Sequence, residues 1–346
     1  MTTPSTEPAT PTRRRRPGAP GAPDFPDSPG APGATTGGGP TLAQRENRAG
    51  LAFLSPTLLV VVVVVIVPIL WTIMLAFQRI RLINIRRAGI FSQYSLHNFG
   101  TVFQAPGFWD SLTTTLMYTI GSTGLSIGIG LIAALALRRP FHGRTAVRAA
   151  MLLPYVAPVV AATFVWKVML SPQYGIINDW GVHLFGWDRP LAFLSQRESE
   201  LFGLPVPTAL LTVIVFEGWR YFPFAFLFLL ARLQAVPAEL EEAALVDGAT
   251  ISQRFRHVLL PQLAPVIALL SVLRFIMTFN KFDDVYLLTG GGAGTDVVSV
   301  RVYQFLTSRF DIGAAAAQAL VLATVLVAFL ALYLRFFAPR VEEGER

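Results

Sequence analysis

Between two long apolar runs lies the segment EAALVDG at residues 242–248, followed after nine residues by VLLP at residues 258–261. This segment is short, charged and compatible with water. Each flanking apolar run is long enough to cross the hydrocarbon core of a bilayer, which takes roughly 20 residues. A polar helix–turn–helix between two such runs is typical of a loop that contacts another molecule in the cytoplasm. The segment therefore indicates a membrane protein with one specialised contact loop.

Two helices joined by a tight turn are predicted for residues 237–261. Pro237 suits the first helical position, because its missing N–H would have no partner there. Gly248 can adopt the left-handed backbone conformation in which helices commonly end. Thr250 and Gln253 have the spacing of a capping box, which starts a second helix. Three glutamates fall in the first turn, where the positive end of the helix dipole favours acids: Glu239, Glu241 and Glu242.

The composition of the chain is that of a polytopic membrane protein. Apolar residues make up 53% and charged residues only 14% of its 346 residues, which does not match an ordinary soluble domain. The chain has no cysteine and four separated histidines, His97, His142, His183 and His257. We therefore expect no metal site and no other cofactor. The net charge of +7 comes mostly from arginines in the amino-terminal tail and in short loops, which fits the positive-inside rule better than nucleic-acid binding.

Residues 1–44 are rich in Pro, Gly, Ala, Ser and Thr and contain four consecutive arginines at 13–16. Such a segment buries too little apolar surface to offset the entropy of ordering it, so a disordered cytoplasmic tail is predicted. About 50 polar residues precede the first apolar run, which argues against a secretory signal. Contact of the arginines with anionic membrane lipid is a secondary expectation. A second short cytoplasmic tail is predicted for residues 341–346.

Six apolar segments of roughly 20 or more residues predict six transmembrane helices. They cover residues 51–77, 111–137, 149–170, 207–230, 264–288 and 313–337. Arginines between the second and third segments and after the fourth mark those two loops as cytoplasmic. The expected fold is an all-α membrane protein in which both termini are cytoplasmic and residues 45–340 form one transmembrane domain. The arginines that disagree with this orientation follow the first segment, on the predicted outer side: Arg79, Arg81, Arg86 and Arg87.

Small residues and prolines predict how these segments pack and bend. Four glycines in the second segment predict close approach of a neighbouring helix. They are Gly121, Gly124, Gly128 and Gly130, and Gly124 with Gly128 forms a small-xxx-small pair. Pro56 and Pro68 in the first segment and Pro154 and Pro158 in the third predict a kink or an interruption of the helix.

The spacing in residues 237–261 resembles the EAA loop of the permeases of ABC importers. That motif reads Glu-Ala-Ala, three residues, Gly, nine residues, Ile, one residue and Leu-Pro, and this chain differs by Val258 in place of the Ile. An amphipathic helix on the bilayer surface is the alternative, but it does not account for the spacing. The resemblance implies that the loop docks a cytoplasmic ATPase. The matching positions are Glu242, Ala243, Ala244, Asp247, Gly248, Leu260 and Pro261.

Two further segments resemble the carbohydrate-uptake branch of these permeases. Residues 216–224 (FEGWRYFPF) resemble the Trp…Pro-Phe segment that precedes the EAA loop. Residues 282–291 (FDDVYLLTGG) resemble that branch's Phe-Asp…Tyr-x-Leu-Thr-x-Gly-Gly segment, but GAG at 292–294 replaces the common Gly-Pro ending. This departure weakens any inference about a particular sugar. The chain from about residue 45 onward is similar to the maltose and multiple-sugar type, and to the first of its two permease subunits.

This resemblance implies an assembly. The chain would pair as a heterodimer with a second permease subunit, and the sugar would pass between them. A cytoplasmic ABC ATPase dimer would bind on one side, and an extracytoplasmic sugar-binding protein would deliver the substrate on the other. The chain has no Gly-x4-Gly-Lys-Ser/Thr phosphate loop. We therefore expect a transporter subunit in a bacterial cytoplasmic membrane, with ATP hydrolysis carried out by a separate chain.

Polar residues around the fifth segment are the candidates for the substrate path. Ionisable side chains in a span are costly against lipid and normally face a cavity or a partner, and hydroxyl-rich substrates need both donors and acceptors. An intra-subunit polar cluster is the alternative. Glu217 and Arg220 in the fourth segment are expected to pair on one helix face. The candidates for the path are Asn280, Lys281, Asp283 and Asp284, with the aromatic residues Trp219 and Tyr155.

Two other functions stay open at this point. Glycerol-3-phosphate permeases share much of the pattern, and an anionic substrate would use basic residues such as Arg274 and Lys281. An ion-coupled secondary transporter belongs to a different class, would show inverted repeats and would not need an EAA loop. Dependence of uptake on ATP rather than on an ion gradient separates that class from the importers.

Overall fold

The computed structural model describes residues 53–201 and 204–337, which are predominantly helical. The predicted tails, residues 1–44 and 341–346, lie outside the described residues. The helices are α1 (Phe53–Ala76), α2 (His97–Gln104), α3 (Phe108–Leu137), α4 (Arg144–Val156), α5 (Val159–Met169), α6 (Ile176–His183), α7 (Thr208–Gln234), α8 (Ala238–Val246), α9 (Ile251–Phe279), α10 (Asp283–Thr289), α11 (Val298–Thr307) and α12 (Ile312–Phe337). Strands β1 (Ser199–Leu201) and β2 (Leu204–Val206) form an antiparallel hairpin, and Leu82–Arg87 forms a short 3₁₀ helix.

Five of the described helices are long and apolar enough to cross a membrane: α1, α3, α7, α9 and α12. The predicted third span is broken. Its two parts, α4 and α5, meet at an angle of 95°. Ala157 is extended, with ψ of 137°, because a residue that precedes a proline is sterically excluded from the helical region. The interruption expected at Pro158 is therefore confirmed.

The packing of α3 against α7 shows how the broken pair fits the fold. Along the interface Gly121 lies by Ile214, the Leu125 side chain by Gly218, and Gly130 by Ala225. Because residue numbers rise together on both helices, α3 and α7 run parallel. The chain must therefore return to the opposite end of the bundle between them, and α4 and α5 lie on this return. The six predicted spans correspond to five continuous helices and this broken pair.

Glycine makes the close approach of α3 and α7 possible, although not at every expected position. A Cβ at Gly130 would lie 2.8 Å from both the Ala225 Cβ and the Phe226 nitrogen. A Cβ at Gly218 would lie 2.6 Å from the Leu125 side chain. By contrast, apart from neighbouring residues of α3, no atom of the described chain lies within 4 Å of a Cβ built at Gly124 or Gly128. The expectation that these last two form a close-packing pair is wrong within this chain.

The boundaries of the fifth span differ from residues 264–288. The helix α9 begins at Ile251 and ends at Phe279, and α10 is a separate helix. At its start, a π-helical turn at Phe255–Leu259 leads into Pro261 and keeps the helix continuous with the loop. Proline supplies no N–H and crowds the carbonyl one turn back, so a wider turn relieves the clash. A π-helical turn at Val62–Ile66 stands in the same relation to Pro68.

The segment after α1 is tied to the chain around the start of α12. The Leu82 N–H donates to the Phe310 carbonyl, and the Gly313 N–H donates to the Ile80 carbonyl, each at 2.9 Å. Arg81 Nε lies 3.9 Å from the Asp311 carboxylate. The Arg79 and Arg86 side chains are exposed. One of the arginines that disagreed with the predicted orientation therefore has a structural partner, and two others face away from the fold.

Candidate functional site

The turn between α8 and α9 is closed by its own backbone. Gly248 has φ of +76°, its N–H donates to the Leu245 carbonyl at 3.0 Å, and the Ala249 N–H donates to the Ala244 carbonyl at 2.9 Å. This pair of bonds around a left-handed glycine is the Schellman arrangement, which satisfies the last carbonyls of a helix. The predicted helix stop at Gly248 is confirmed.

The start of α9 follows the predicted capping box. The Gln253 N–H donates to Thr250 Oγ1 at 3.3 Å, and the Thr250 N–H donates to Gln253 Oε1 at 2.8 Å. Two N–H groups at the helix start are thus satisfied reciprocally. Four residues, 247–250, separate α8 from α9. The loop is therefore a defined turn between two capped helices.

The helix α8 buries none of its residues in this chain. The exposed side chains include both acid and large apolar groups: Glu242 is exposed, Leu245 is 52% exposed and Val246 is 89% exposed. Ile251, just after the turn, is 78% exposed. Of the other motif positions, Ala243, Asp247 and Pro261 are exposed, and Ala244 and Leu260 are half-buried.

One acid of the first turn of α8 has a partner that the sequence analysis missed. Glu241 accepts from Arg138 in a two-bond contact, with Arg138 Nη1 at 2.5 Å and Nη2 at 2.8 Å from the two carboxylate oxygens. Arg138 directly follows the last residue of α3, Leu137. The two residues are 103 positions apart, and no local pattern connects them.

A second group of polar side chains lies buried where α7, α9 and α10 meet. Arg274 Nη2 lies 2.9 Å from Glu217 Oε1, and both side chains are almost fully buried. The Thr278 hydroxyl also donates to Glu217, at 3.4 Å. Because an isolated charge in such a place is very costly, the pairing of the two charges is what permits their burial.

The same group continues to the start of α10. Asp284 is fully buried, and its carboxylate lies 3.9 Å from Arg220 Nε and 3.6 Å from Lys281 Nζ. Lys281 Nζ also lies 3.3 Å from the partly exposed Asp283. We call this set the polar cluster, and it consists of Glu217, Arg220, Tyr221, Arg274, Thr278, Lys281, Asp283 and Asp284.

The Tyr221 ring occupies the centre of the polar cluster. The Arg274 guanidinium lies 4.2 Å and the Lys281 ammonium 4.7 Å from its centroid, and the Lys281 ammonium donates to its hydroxyl. An aromatic face attracts cations in a site shielded from water. The Tyr155 ring, from α4, meets the Tyr221 ring edge-on at 5.8 Å and is 39% exposed.

The structure brings only some of the predicted path residues together. Lys281, Asp283 and Asp284 belong to the polar cluster, and Tyr155 contacts it through Tyr221. Asn280 is exposed and donates to the Ile276 carbonyl of its own helix at 3.0 Å. Trp219 is half-buried and packs between Trp166 and Phe216, at 5.5 and 6.1 Å between ring centroids. These two residues lie outside the cluster.

The expected pairing of Glu217 with Arg220 on one helix face is not formed. Glu217 instead contacts Arg274 of α9, and Arg220 contacts Asp284 of α10, so each residue pairs with a charge on another helix. Glu217 Oε2 and Arg220 Nη1 have no hydrogen-bond partner among the described residues. Within residues 53–201 and 204–337, no three His, Cys, Asp or Glu side chains lie close enough to hold a metal ion.

Comparison with known proteins gives consistent matches. Residues 126–343 match the family described as "Binding-protein-dependent transport system inner membrane component". An inner membrane ABC transporter permease protein of Escherichia coli, YcjO, is 36% identical over 82% of this chain and 92% of its own length. The trehalose/maltose transport system permease protein MalF of Thermococcus litoralis is 32% identical over 85% of this chain and 95% of its own length.

A solved structure matches over a similar length. It is a bacterial alginate ABC transporter in complex with an alginate pentasaccharide-bound periplasmic protein. The matching chain has a TM-score of 0.67 and 25% sequence identity, and the alignment covers 84% of this chain and 95% of the other.

Proposed function

We propose, from the premise that this chain belongs to the family of binding-protein-dependent transport system inner membrane components, that it is one permease subunit of an ATP-driven sugar importer. It would form half of the translocation path in a bacterial cytoplasmic membrane. The observation that carries the proposal is the loop at residues 237–261. Its turn is built by the chain alone, yet its acidic and apolar side chains are left exposed.

The proposed occupant of that exposed surface is a cytoplasmic ABC ATPase. Exposed large apolar groups beside charges are typical of a surface that another protein covers. The residues proposed to contact the ATPase are Glu242, Ala243, Ala244, Asp247, Gly248, Leu260 and Pro261. With the loop on the cytoplasmic side, both chain termini are cytoplasmic as well, which agrees with the arginines near α3 and α4. An ATPase dimer needs a second loop, which a second permease subunit would provide.

The polar cluster is the proposed substrate-binding wall of the path. Its partly exposed members offer a donor, Lys281, and an acceptor, Asp283. The buried Asp284 holds Lys281 from behind, and Tyr155 adds a partly exposed ring. A sugar can hydrogen-bond to both kinds of group and stack on the ring. An extracytoplasmic sugar-binding protein would deliver it, as the alginate-bound periplasmic protein in the matching structure suggests.

The charges of the polar cluster favour a sugar over glycerol-3-phosphate. Three acids, Glu217, Asp283 and Asp284, stand against three bases, and each base contacts at least one acid. These bases are Arg220, Arg274 and Lys281. A phosphate site needs positive groups that are free to bind the anion. Because their charge is already balanced, glycerol-3-phosphate is the second candidate.

Purification of the tagged chain from its native membrane, with identification of the co-purifying proteins, tests the assembly. We expect an ATPase, a second six-span permease and a binding protein. Uptake into vesicles that contain this complex should require ATP and persist when ion gradients are collapsed. Recovery of the chain alone, with uptake driven by an ion gradient, would contradict the proposal. A ligand screen on the binding protein, with trehalose, maltose, an alginate oligosaccharide and glycerol-3-phosphate, then decides the substrate class.

A further inference from the structure

The contact between Arg138 and Glu241 joins two parts of the fold that are otherwise weakly connected. The helix α8 buries none of its residues. Within the described chain, the Glu241 carboxylate is the only α8 side chain that hydrogen-bonds to a membrane-spanning helix or its end. Both side chains are about four-fifths shielded, with exposures of 20% and 23%. This ion pair therefore fixes α8 against the end of α3.

A second arginine extends the connection from α3 to α4. Arg148 Nη2 donates to the Leu137 carbonyl at 2.7 Å, which is one of the carbonyls left free at the end of α3. Seven residues further along α4 lies Tyr155, about 10 Å away at 1.5 Å per helical residue. Tyr155 contacts Tyr221 of the polar cluster. The helix α4 thus has one contact near α8 and another at the polar cluster.

We propose that the Arg138–Glu241 ion pair is a positioning contact that passes displacement of α8 to α3 and, through Arg148, to α4. The inference rests on the proposed function, in which α8 is the surface that the ATPase moves. A two-bond arginine–carboxylate contact suits this role, because the planar fork fixes orientation as well as distance. A single-point contact would let α8 turn without moving its neighbour.

The charges of this pair can be exchanged, which gives a sharp experiment. The three variants are Arg138→Glu, Glu241→Arg and the double exchange. Each also carries Val156→Cys as a reporter on α4, because Val156 is 74% exposed and the natural chain has no cysteine. The complete transporter is purified with its partners, and the alkylation rate of this cysteine is measured with and without ATP. Arg139→Glu and Glu239→Arg are matched controls. Arg139 has the same charge as Arg138 and Glu239 the same charge as Glu241, and both control residues are exposed.

We expect ATP to change the alkylation rate about fivefold or more with the natural pair, which is the scale of a typical coupling between two sites. Each single reversal should abolish this change, and the double exchange should restore most of it. Both controls should behave as the natural pair does. A full ATP response in the single variants, or no recovery in the double exchange, overturns the inference and leaves the proposed function intact. No ATP response with the natural pair overturns both.

Discussion

At the scale of single residues, the shape of the 237–261 loop depends on one glycine. Gly248 has φ of +76°, and a Cβ built on it meets no described atom within 4 Å apart from those of its two chain neighbours. The chain itself therefore requires glycine for its backbone conformation and not for space. Any steric or electrostatic intolerance at this position beyond backbone strain would come from a partner.

Gly248→Asp is expected to abolish uptake and to loosen the association of the ATPase, while the chain remains inserted in the membrane. The matched variant is Gly248→Asn, which has nearly the same shape and tolerates the left-handed conformation, but carries no charge. Uptake and ATPase recovery after purification are the measurements. If uptake by Gly248→Asp equals that of the natural chain, the loop does not dock the ATPase.

Lys281→Ala is expected to weaken sugar uptake by about tenfold or more, because removal of the ammonium leaves the buried Asp284 without one of its partners and removes a donor from the path. The comparison variant is Asn280→Ala, whose side chain bonds to its own helix and whose loss should matter less. Uptake rate and apparent affinity are measured for both. If Lys281→Ala has the uptake rate and affinity of the natural chain, Lys281 does not belong to the proposed path. If both variants lose uptake equally, the path also includes the exposed Asn280.

The sequence predicted residues whose partners are local. The capping box at Thr250 and the helix stop at Gly248 involve bonds between positions three to five apart, and both are confirmed. The pairs Arg138–Glu241 and Arg274–Glu217 were not predicted, because their members are 103 and 57 positions apart and only the packing of helices brings them together. The pairing of Glu217 with Arg220 failed for the same reason, since charges on other helices competed.

At the scale of helices, Gly128 and Gly130 look alike in the sequence but differ in how closely the neighbouring helix approaches them. Gly130→Ala is expected to lower the stability of the chain by about 1–3 kcal/mol, the usual effect of overpacking, because its Cβ would overlap Ala225 and the Phe226 backbone. A Cβ at Gly128 meets no atom of another described helix within 4 Å, so Gly128→Ala should be neutral or slightly stabilising, since alanine favours a helix. Thermal unfolding of both variants in the same detergent is the measurement. An equal loss in the two variants would contradict the observed α3–α7 interface.

Helix existence was easier to predict than helix shape. Runs of apolar residues located the five described helices that are long enough to cross a membrane and the broken pair, and Pro158 marked the interruption between α4 and α5. The length of α9 was missed, because a polar segment at its start and a π-helical turn before Pro261 extend the helix beyond the apolar run. Its end was missed because Asp283 and Asp284 favour a new helix start at α10.

At the scale of the whole molecule, the resemblance to carbohydrate-uptake permeases, which rested on three short motifs, is confirmed by the family match and by relatives that align over most of the chain. Motif spacing could support this because each motif combines glycine, proline and charge at fixed distances. The substrate could not be predicted in the same way, since donors and acceptors of the kind proposed to line the path would suit many hydroxylated ligands.

The orientation of the molecule is open to a direct measurement, because the chain has no cysteine. Arg139→Cys, near the end of α3, should react with a membrane-impermeant thiol reagent only from the cytoplasmic side. Ile83→Cys, which replaces a side chain 94% exposed, should react only from outside. Labelling of intact and inverted vesicles gives the two accessibilities. The reverse result would place the 237–261 loop outside the cell and exclude contact with a cytoplasmic ATPase.

The turn at 247–250, which is closed by the Schellman bonds and the capping box, has a consequence for how fast subunits assemble. A segment that is already ordered loses little conformational entropy when a partner covers it, so less of the contact energy is spent on ordering. Encounter and orientation, instead of folding of the loop, then limit the association rate. If an ATPase covers this loop, as proposed, the permease presents it with an ordered surface, and the assembly rate should rise in proportion to the ATPase concentration.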